Sequence, residues 1–167
     1  MVSLSVLTIA LLAFGQAIMM SLNAGQLQRE QGTARDAARQ MIERMQAETF
    51  AEVFARYNAT AVDDPGAGNL FAAGFAVTGL QARAGDADGL VGEILFPTAP
   101  GAGGALMLRE DLADDRFGTP RDLNADGVVD ALDHSGDYQL LPVVVRLQWR
   151  GRGGSASIEF RTYLADI

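Results

Sequence analysis

The sequence predicts an α+β protein in which a long N-terminal α-helix packs on a small antiparallel β-sheet, a ladle-shaped layout. Three observations support this fold class: residues 1–28 carry no charge, apolar residues continue at helical spacing to Tyr57, and two alternating runs near the C-terminus form a hairpin. The length of 167 residues suits one domain. The formal net charge is -8, yet 49% of the residues are hydrophobic, so charged and apolar residues must be concentrated in different parts of the chain.

The first 25 residues form the apolar end of the predicted helix, and Arg29 is the first charged residue. About 20 apolar residues, at about 1.5 Å each, are enough to cross a bilayer core about 30 Å thick. A secretory signal peptide is disfavoured, because the segment has no basic start and residues 21–24 make a poor cleavage site. We therefore expect residues 1–25 to be buried in a membrane or in the core of a protein assembly.

An amphipathic second half continues this helix, since no Pro interrupts the chain before residue 57. Its apolar residues recur at helical spacing and are Ala34, Ala38, Met41, Ile42, Met45, Phe50, Val53, Phe54 and Tyr57. The sequence therefore predicts one helix within residues 1–57, running from Val2 to about Arg56, with a face that can cover a sheet. Bends are expected at its glycines, which are Gly15, Gly25 and Gly32.

Residues 58–167 are predicted to form a β-rich globular head. A turn signal at residues 63–66 ends the helix. Three short strands are predicted, at residues 75–80, 92–97 and 106–109.

The clearest element of the head is a C-terminal hairpin over residues 143–164. Apolar side chains such as Val145 and Trp149 alternate with polar ones such as Arg146, and the glycine-rich residues 151–154 join the two strands. One face of this hairpin must be buried, because an isolated hairpin is marginally stable in water. The apolar stripe of the long helix is the expected cover.

The most specific motif is a cation-binding loop at residues 122–133. It has the spacing of an EF-hand loop, with oxygen ligands at positions 1, 3, 5, 7, 9 and 12 and Gly127 at position 6 for the sharp turn. The predicted ligands are Asp122, Asn124, Asp126, the carbonyl of Val128, Asp130 and Asp133. The sequence therefore predicts that calcium stabilises the head; the alternative is an Asp-rich surface turn without a metal.

The loop resembles a dockerin-type loop, because position 12 is Asp133 where calmodulin-type loops have Glu. Dockerins carry two such loops, each followed by a helix, whereas this chain has one loop and Pro142 follows soon after it. Cohesin binding and calcium sensing are therefore disfavoured. We expect a structural calcium ion of the kind that extracellular modules bind at about 10⁻⁴–10⁻³ M.

The composition excludes several function classes. The chain has no Cys, no Lys among its 13 basic residues and a single His, which excludes disulfides, cysteine-ligated metals and a phosphate-binding lysine loop. No set of residues typical of an active site is present, so the protein is predicted not to be an enzyme. Its acidic balance argues against nucleic-acid binding.

The remaining acidic groups carry weaker signals. Asp86 and Asp88 are a possible second cation site, although acidic turns are common. The cluster of Glu110 with its acidic neighbours (Asp111, Asp114 and Asp115) is expected to be a solvated face. His134 is interpreted as incidental and is not assigned as a base; the alternative is a position near the calcium loop.

The chain thus combines an uncharged N-terminal helix, the amphipathic continuation of that helix and a β-rich head. This arrangement resembles bacterial type IV pilins and pseudopilins, particularly minor-pilin-like members. Residues 1–7 are similar to the start of such a protein after its leader is removed, and residues 143–162 are similar to its terminal hairpin. The resemblance implies a subunit that packs with copies of itself in an extracellular helical filament at the cell surface. It also implies an inner-membrane location before assembly and recruitment by a pilus assembly machinery with its ATPase.

Two departures from the family pattern are present. The family usually has Glu at the fifth mature position, where this chain has Ser5, and the usual Pro near residue 22 is absent. Either the subunit uses another recruitment contact or it is not a standard major pilin. The alternative function is a single-pass, membrane-anchored envelope protein with a calcium-stabilised binding head.

Overall fold

The computed structural model describes residues 2–60, 63 and 73–165, and for residues 2–6 and 8–10 it describes the backbone alone. Of the predicted turn at residues 63–66, only Asp63 lies within the described residues. The α+β class is confirmed: a long N-terminal helix accompanies a small antiparallel sheet.

Two helices occupy the N-terminal part of the chain. Helix α1 spans Val2–Ala47, about 69 Å at 1.5 Å per residue, and helix α2 spans Phe50–Tyr57. The prediction of one helix to about Arg56 is wrong at residues 48–49, where Thr49 has an extended backbone and begins α2 as its N-cap residue. The helix breaks there, and residues 15, 25 and 32 lie within the uninterrupted α1.

The interruption has a packing reason. The apolar stripe of α1 and that of the following residues lie on slightly different faces of one ideal helix. By starting a new helix at Phe50, the chain buries Val53, Phe54 and Tyr57 almost completely. Burial of such large side chains contributes about 1.5–3 kcal/mol each, which exceeds the cost of a few lost helical hydrogen bonds.

The strands form two antiparallel sheets. In chain order the strands are β1 (Gly74–Phe75), β2 (Gly92–Leu95), β3 (Thr98–Pro100), β4 (Leu106–Leu108), β5 (Leu140–Gly151) and β6 (Gly154–Ala165). The larger sheet has the order β1-β2-β5-β6, and β3 pairs with β4 in a separate two-stranded sheet. A single turn of 3₁₀-helix at Ala102–Gly104 joins β3 to β4.

The C-terminal hairpin is confirmed and is longer than predicted, since β5 and β6 pair from Leu140 with Ala165 to Gly151 with Gly154. The predicted strand at residues 75–80 is largely wrong: only Phe75 belongs to β1. A turn follows, in which the N–H of Leu80 bonds to the carbonyl of Val77 at 3.1 Å. Its Gly79 has a φ of +90°, which a strand does not allow.

The core lies between α1, α2 and one face of the larger sheet. The helix side chains that contact it are the predicted stripe, with Ala34, Ala38 and Met45 fully buried. They pack with alternate residues of β5, which are Leu141, Val143, Val145, Leu147 and Trp149. The expectation that the helix covers the hairpin is therefore confirmed, and small alanines let the helix approach the sheet closely.

Polar contacts fix the tip of the hairpin on α1. The indole N–H of Trp149 lies 3.3 Å from Oε2 of Glu30, and the guanidinium of Arg152 donates to the side-chain oxygen of Gln26 at 2.8 Å. The head therefore begins to cover α1 near residue 26, and the helix before that point extends beyond the sheet.

Candidate functional site

The chain between β4 and β5 turns tightly at the start of the predicted calcium loop. Oδ1 of Asp122 accepts a hydrogen bond from the N–H of Ala125 at 2.7 Å, and Oδ2 accepts one from the N–H of Gly127 at 2.8 Å. Gly127 has a φ of +87°, which glycine adopts without a steric penalty. The sharp turn expected at this glycine is therefore confirmed, and the carboxylate at position 1 holds the turn together.

Two more predicted ligands order the same loop. Oδ1 of Asn124 accepts a bond from the N–H of Asp126 at 3.1 Å, and Oδ1 of Asp126 accepts one from the N–H of Val128 at 2.8 Å. These are Asx turns, in which an Asp or Asn side chain mimics a backbone turn. Asp126 and Val128 are exposed to solvent.

The last predicted ligand, Asp133, points towards β4. Its Oδ1 accepts hydrogen bonds from the N–H of Leu108 at 3.1 Å and from that of Ser135 at 3.0 Å. The N–H of His134 in turn donates to the carbonyl of Leu108 at 3.0 Å. The end of the loop is therefore attached to the last residue of β4 by hydrogen bonds.

Glu110 overturns the expectation of a solvated acidic face, because it is completely buried. Its Oε1 accepts hydrogen bonds from the N–H groups of Leu123 at 2.5 Å and Asn124 at 3.2 Å. Its Oε2 lies 3.4 Å from the backbone nitrogen of Asp130. A buried carboxylate requires such donors, so Glu110 acts as the internal support on which the loop is built.

His134 is buried beside this carboxylate and has an acidic partner on each side. Its Nδ1 lies 3.2 Å from Oδ1 of Asp137, and its Nε2 lies 3.2 Å from Oδ1 of Asp130 and 3.6 Å from Oε2 of Glu110. Burial lowers the pKa of His134, but the bonds to Asp130 and Asp137 and the charge of Glu110 outweigh burial and raise that pKa above its usual value. His134 is therefore part of the site and is not incidental.

The described residues contain one group of three side chains whose ligand atoms all lie within 4.8 Å of one another: Glu110, Asp130 and His134. Of the predicted calcium ligands, only Asp130 belongs to it. The spacing of Asp130, His134 and Asp137 at i, i+4 and i+7 was a sequence signal for the local part of this cluster. Nothing in the local sequence indicates Glu110, which lies 20 residues before Asp130 and reaches it only through the fold.

Two of the other acidic residues near β4, Asp111 and Asp114, form ion pairs, and Asp115 is exposed. The guanidinium of Arg109 donates to Asp111 at 2.7 and 2.8 Å, and that of Arg116 donates to Asp114 at 2.7 Å. These hydrogen bonds hold the pKa of each carboxyl below its usual value. Both pairs are therefore structural contacts of a partly exposed surface.

A second candidate surface is the part of α1 that extends beyond the head. Among the side chains that the structure describes there, the exposed large apolar ones are Leu7, Leu11, Leu12, Phe14, Ile18, Met19, Met20 and Leu22, and Leu27 follows at the edge of the head. At 100° per residue, Leu12, Phe14 and Met20 point in well-separated directions around the helix axis. This exposed surface, called the apolar helix surface below, therefore surrounds α1.

No helix within the described residues combines the length and apolarity needed to span a membrane. Comparison with models of protein families, with curated proteins and with solved structures finds no match for this chain.

Proposed function

We propose that this protein is a structural subunit of an extracellular helical filament of the type IV pilin or pseudopilin kind. The single observation that carries the proposal is the apolar helix surface, which exposes large side chains between Leu7 and Leu27. Large exposed apolar patches mark contact surfaces, and an uncharged segment is suited to burial among apolar neighbours. The head, in contrast, buries its apolar side chains against α2 and the second half of α1.

The energetics favour association. Outside a membrane, removing a large aliphatic side chain fully from water contributes about 1.5–3 kcal/mol, so a few such residues from several copies outweigh the entropy lost on assembly. Relative to lipid the gain is smaller, so assembly from a membrane draws on helix packing, polar contacts and the ATPase of the assembly machinery. Because apolar side chains point in many directions around α1, one neighbour cannot cover them all. A contact that repeats head to tail without closing produces a helical fibre. Copies of this chain are therefore the proposed partners, with their N-terminal helices in the fibre core.

Before assembly, residues 1–25 are proposed to lie in the inner membrane, from which a pilus assembly machinery takes the subunit. The product is proposed to be at the cell surface, to have no enzymatic activity and to bind no nucleic acid. In this proposal the head is the outer, solvated part of the fibre, in keeping with its charged surface.

Calcium is proposed to stabilise that head at residues 122–133. The proposed ligands are Asp122, Asn124, Asp126, Val128, Asp130 and Asp133, with Val128 contributing its carbonyl. The support is the EF-hand spacing together with the tight turn at Gly127. An ion that binds only the folded loop adds its binding free energy to the stability of the head.

Fibre formation by the full-length chain tests this function. The protein is purified in detergent, the detergent is removed by dialysis, and fibres are sought by sedimentation and electron microscopy. Leu12→Glu and Met20→Glu place a charge in the proposed fibre core and should abolish fibres. Gln31→Glu adds the same charge to an exposed position of α1 beside the head and should leave fibres intact.

The alternative function predicts a different result. A membrane-anchored envelope protein would incorporate into lipid vesicles and float with them, yet would form no fibres when detergent is removed. That outcome, or fibres that form equally well in Leu12→Glu and Met20→Glu, would overturn the filament proposal.

A further inference from the structure

The cluster of Glu110, Asp130 and His134 brings carboxylate oxygens and an imidazole nitrogen together next to the loop. Nε2 of His134 lies between a carboxylate oxygen of Asp130, at 3.2 Å, and one of Glu110, at 3.6 Å. The side chain of Glu110 is completely buried and that of His134 is 4% exposed, whereas that of Asp130 is 33% exposed. The cluster is therefore preformed in the interior and is reached from solvent on the side of Asp130.

Two of the three separations in the cluster match those of ligands around a small tetrahedral ion, and the third, between the two carboxylate oxygens, is no more than 4.8 Å. Atoms that each lie about 2.0–2.2 Å from a tetrahedral Zn²⁺ are about 3.3–3.6 Å from one another. The two distances from Nε2, 3.2 and 3.6 Å, agree with that separation to about 0.1 Å. Calcium ligands lie farther from their ion, at about 2.3–2.6 Å, and calcium prefers six to eight oxygens.

Asp137 orients the imidazole for such a role. Its carboxylate lies 3.2 Å from Nδ1 of His134, and a neutral imidazole that donates from Nδ1 has its lone pair on Nε2. Histidines that bind metals almost always donate their other ring N–H to a carboxylate, a carbonyl or a water. Asp137 is itself placed by the side-chain amide of Asn124, which donates to its second oxygen at 3.2 Å.

We infer that Glu110, Asp130 and His134 bind a Zn²⁺ ion, through Nε2 and one oxygen of each carboxylate, and that Asp137 is a positioning residue for this site. Two carboxylates balance the charge of the divalent ion, and the imidazole selects zinc over calcium. When no metal is bound, a proton on Nε2 can satisfy the same two carboxylates.

This site does not depend on the proposed filament, and different residues distinguish it from the proposed calcium loop. Glu110 and His134 belong only to the zinc site, whereas Asp126 belongs only to the calcium loop. Asp130 is common to both sets of ligands. Substitution of His134 should therefore affect zinc alone, and substitution of Asp126 should affect calcium alone.

Metal binding is measured on the full-length chain in detergent, prepared without a polyhistidine tag and freed of metal with EDTA. Equilibrium dialysis against Zn²⁺, followed by elemental analysis, should give one zinc per chain. His134→Gln and Glu110→Gln should remove this zinc. Asp137→Asn should weaken zinc binding by about 10–100-fold, the usual effect of losing an orienting partner. Asp126→Asn is the matched control and should keep wild-type zinc affinity.

The single His of the chain allows a second measurement that requires no substitution. The imidazole signals in a ¹H–¹⁵N spectrum therefore belong to His134 alone. Binding of Zn²⁺ should shift the Nε2 resonance, while Nδ1 keeps its proton. This readout decides the question if a variant does not fold, which circular dichroism would reveal. The inference is overturned if excess Zn²⁺ leaves the Nε2 resonance unchanged, or if folded His134→Gln binds zinc as tightly as the wild type.

Discussion

The hydroxyl group of Tyr138 donates a 2.6 Å hydrogen bond to the carbonyl oxygen of Phe50. The hydroxyl oxygen of Tyr138 also accepts a hydrogen bond from the N–H of Phe54 at 3.3 Å, and the rings of Tyr138 and Phe50 meet edge to face with their centroids 4.9 Å apart. Tyr138 lies just after the candidate metal sites, and Phe50 is the first residue of α2. This contact therefore joins the loop to the point at which the long helix is interrupted.

Tyr138→Phe should lower the free energy of unfolding by about 1–2 kcal/mol, because the substitution removes a buried donor and leaves the ring packing intact. Urea denaturation of the full-length chain, followed by the fluorescence of its single Trp, measures this change. Tyr163→Phe is the matched control: its more exposed hydroxyl donates to the carbonyl of Phe117 at 3.0 Å, so the loss should be smaller. Equal losses in the two variants would contradict the buried linkage.

Stability should also depend on alkaline pH through Tyr138. Burial raises the pKa of Tyr138, so the folded state keeps its hydroxyl protonated at pH values where the unfolded chain, with a Tyr pKa of about 10, loses it. The contribution is therefore fully present below about pH 10 and is lost as pH rises through the raised pKa. Urea midpoints measured from pH 8 to 11 should fall less in Tyr138→Phe than in the wild type. Parallel pH profiles would show that Tyr138 is not responsible.

The elements that the sequence predicted well are those whose pattern is local. The alternation around Val145 and Trp149 predicts the hairpin, and the stripe from Ala34 to Met45 predicts the helix face that covers it. Each signal lies within one element, because the spacing of the apolar residues in a helix or strand indicates which of its faces is buried. The loop spacing likewise predicts the turn at Gly127, since the residue types of a turn are determined by its own backbone geometry.

The features that the sequence did not predict depend on tertiary contacts. Helical spacing continues through Thr49, and the break there becomes favourable only when α2 has the core and Tyr138 to pack against. Glu110 stands in an acidic run that is typical of a solvated face, and only the fold brings the N–H groups of Leu123 and Asn124 to its carboxylate. A single sequence carries no signal for contacts of this kind.

Glu110→Ala should destabilise the protein by about 3 kcal/mol. The substitution removes a carboxylate that accepts three backbone hydrogen bonds and leaves the N–H groups of Leu123, Asn124 and Asp130 without that acceptor. Asp115→Ala, at an exposed position of the same acidic run, should change stability by less than about 0.5 kcal/mol. Thermal or urea unfolding in the presence of EDTA measures both effects without a metal contribution. If Glu110→Ala were as stable as Asp115→Ala, Glu110 would not be the support of the loop.

Calcium should raise the stability of the wild-type head, and Asp126→Ala should abolish the response. An ion at 100 times its dissociation constant adds about 2.7 kcal/mol to the free energy of unfolding when it binds the folded state alone. Asp126 contributes charge at position 5 of the proposed loop, and its Oδ1 also accepts the N–H of Val128. Substitution of Asp126 therefore lowers the stability slightly even without metal. For each variant, the free energy of unfolding measured in calcium is compared with that measured in a calcium chelator.

Asp86→Ala is the control for this calcium response, because Asp86 lies in the other acidic turn and is exposed. It should keep the full stabilisation by calcium. Loss of the response in Asp86→Ala would place the ion at residues 85–89 instead of residues 122–133. A wild-type chain whose urea midpoint is the same in about 10 mM calcium and in chelator would reject the calcium loop, because a site with a dissociation constant of about 10⁻⁴–10⁻³ M is about nine-tenths or more occupied at that concentration.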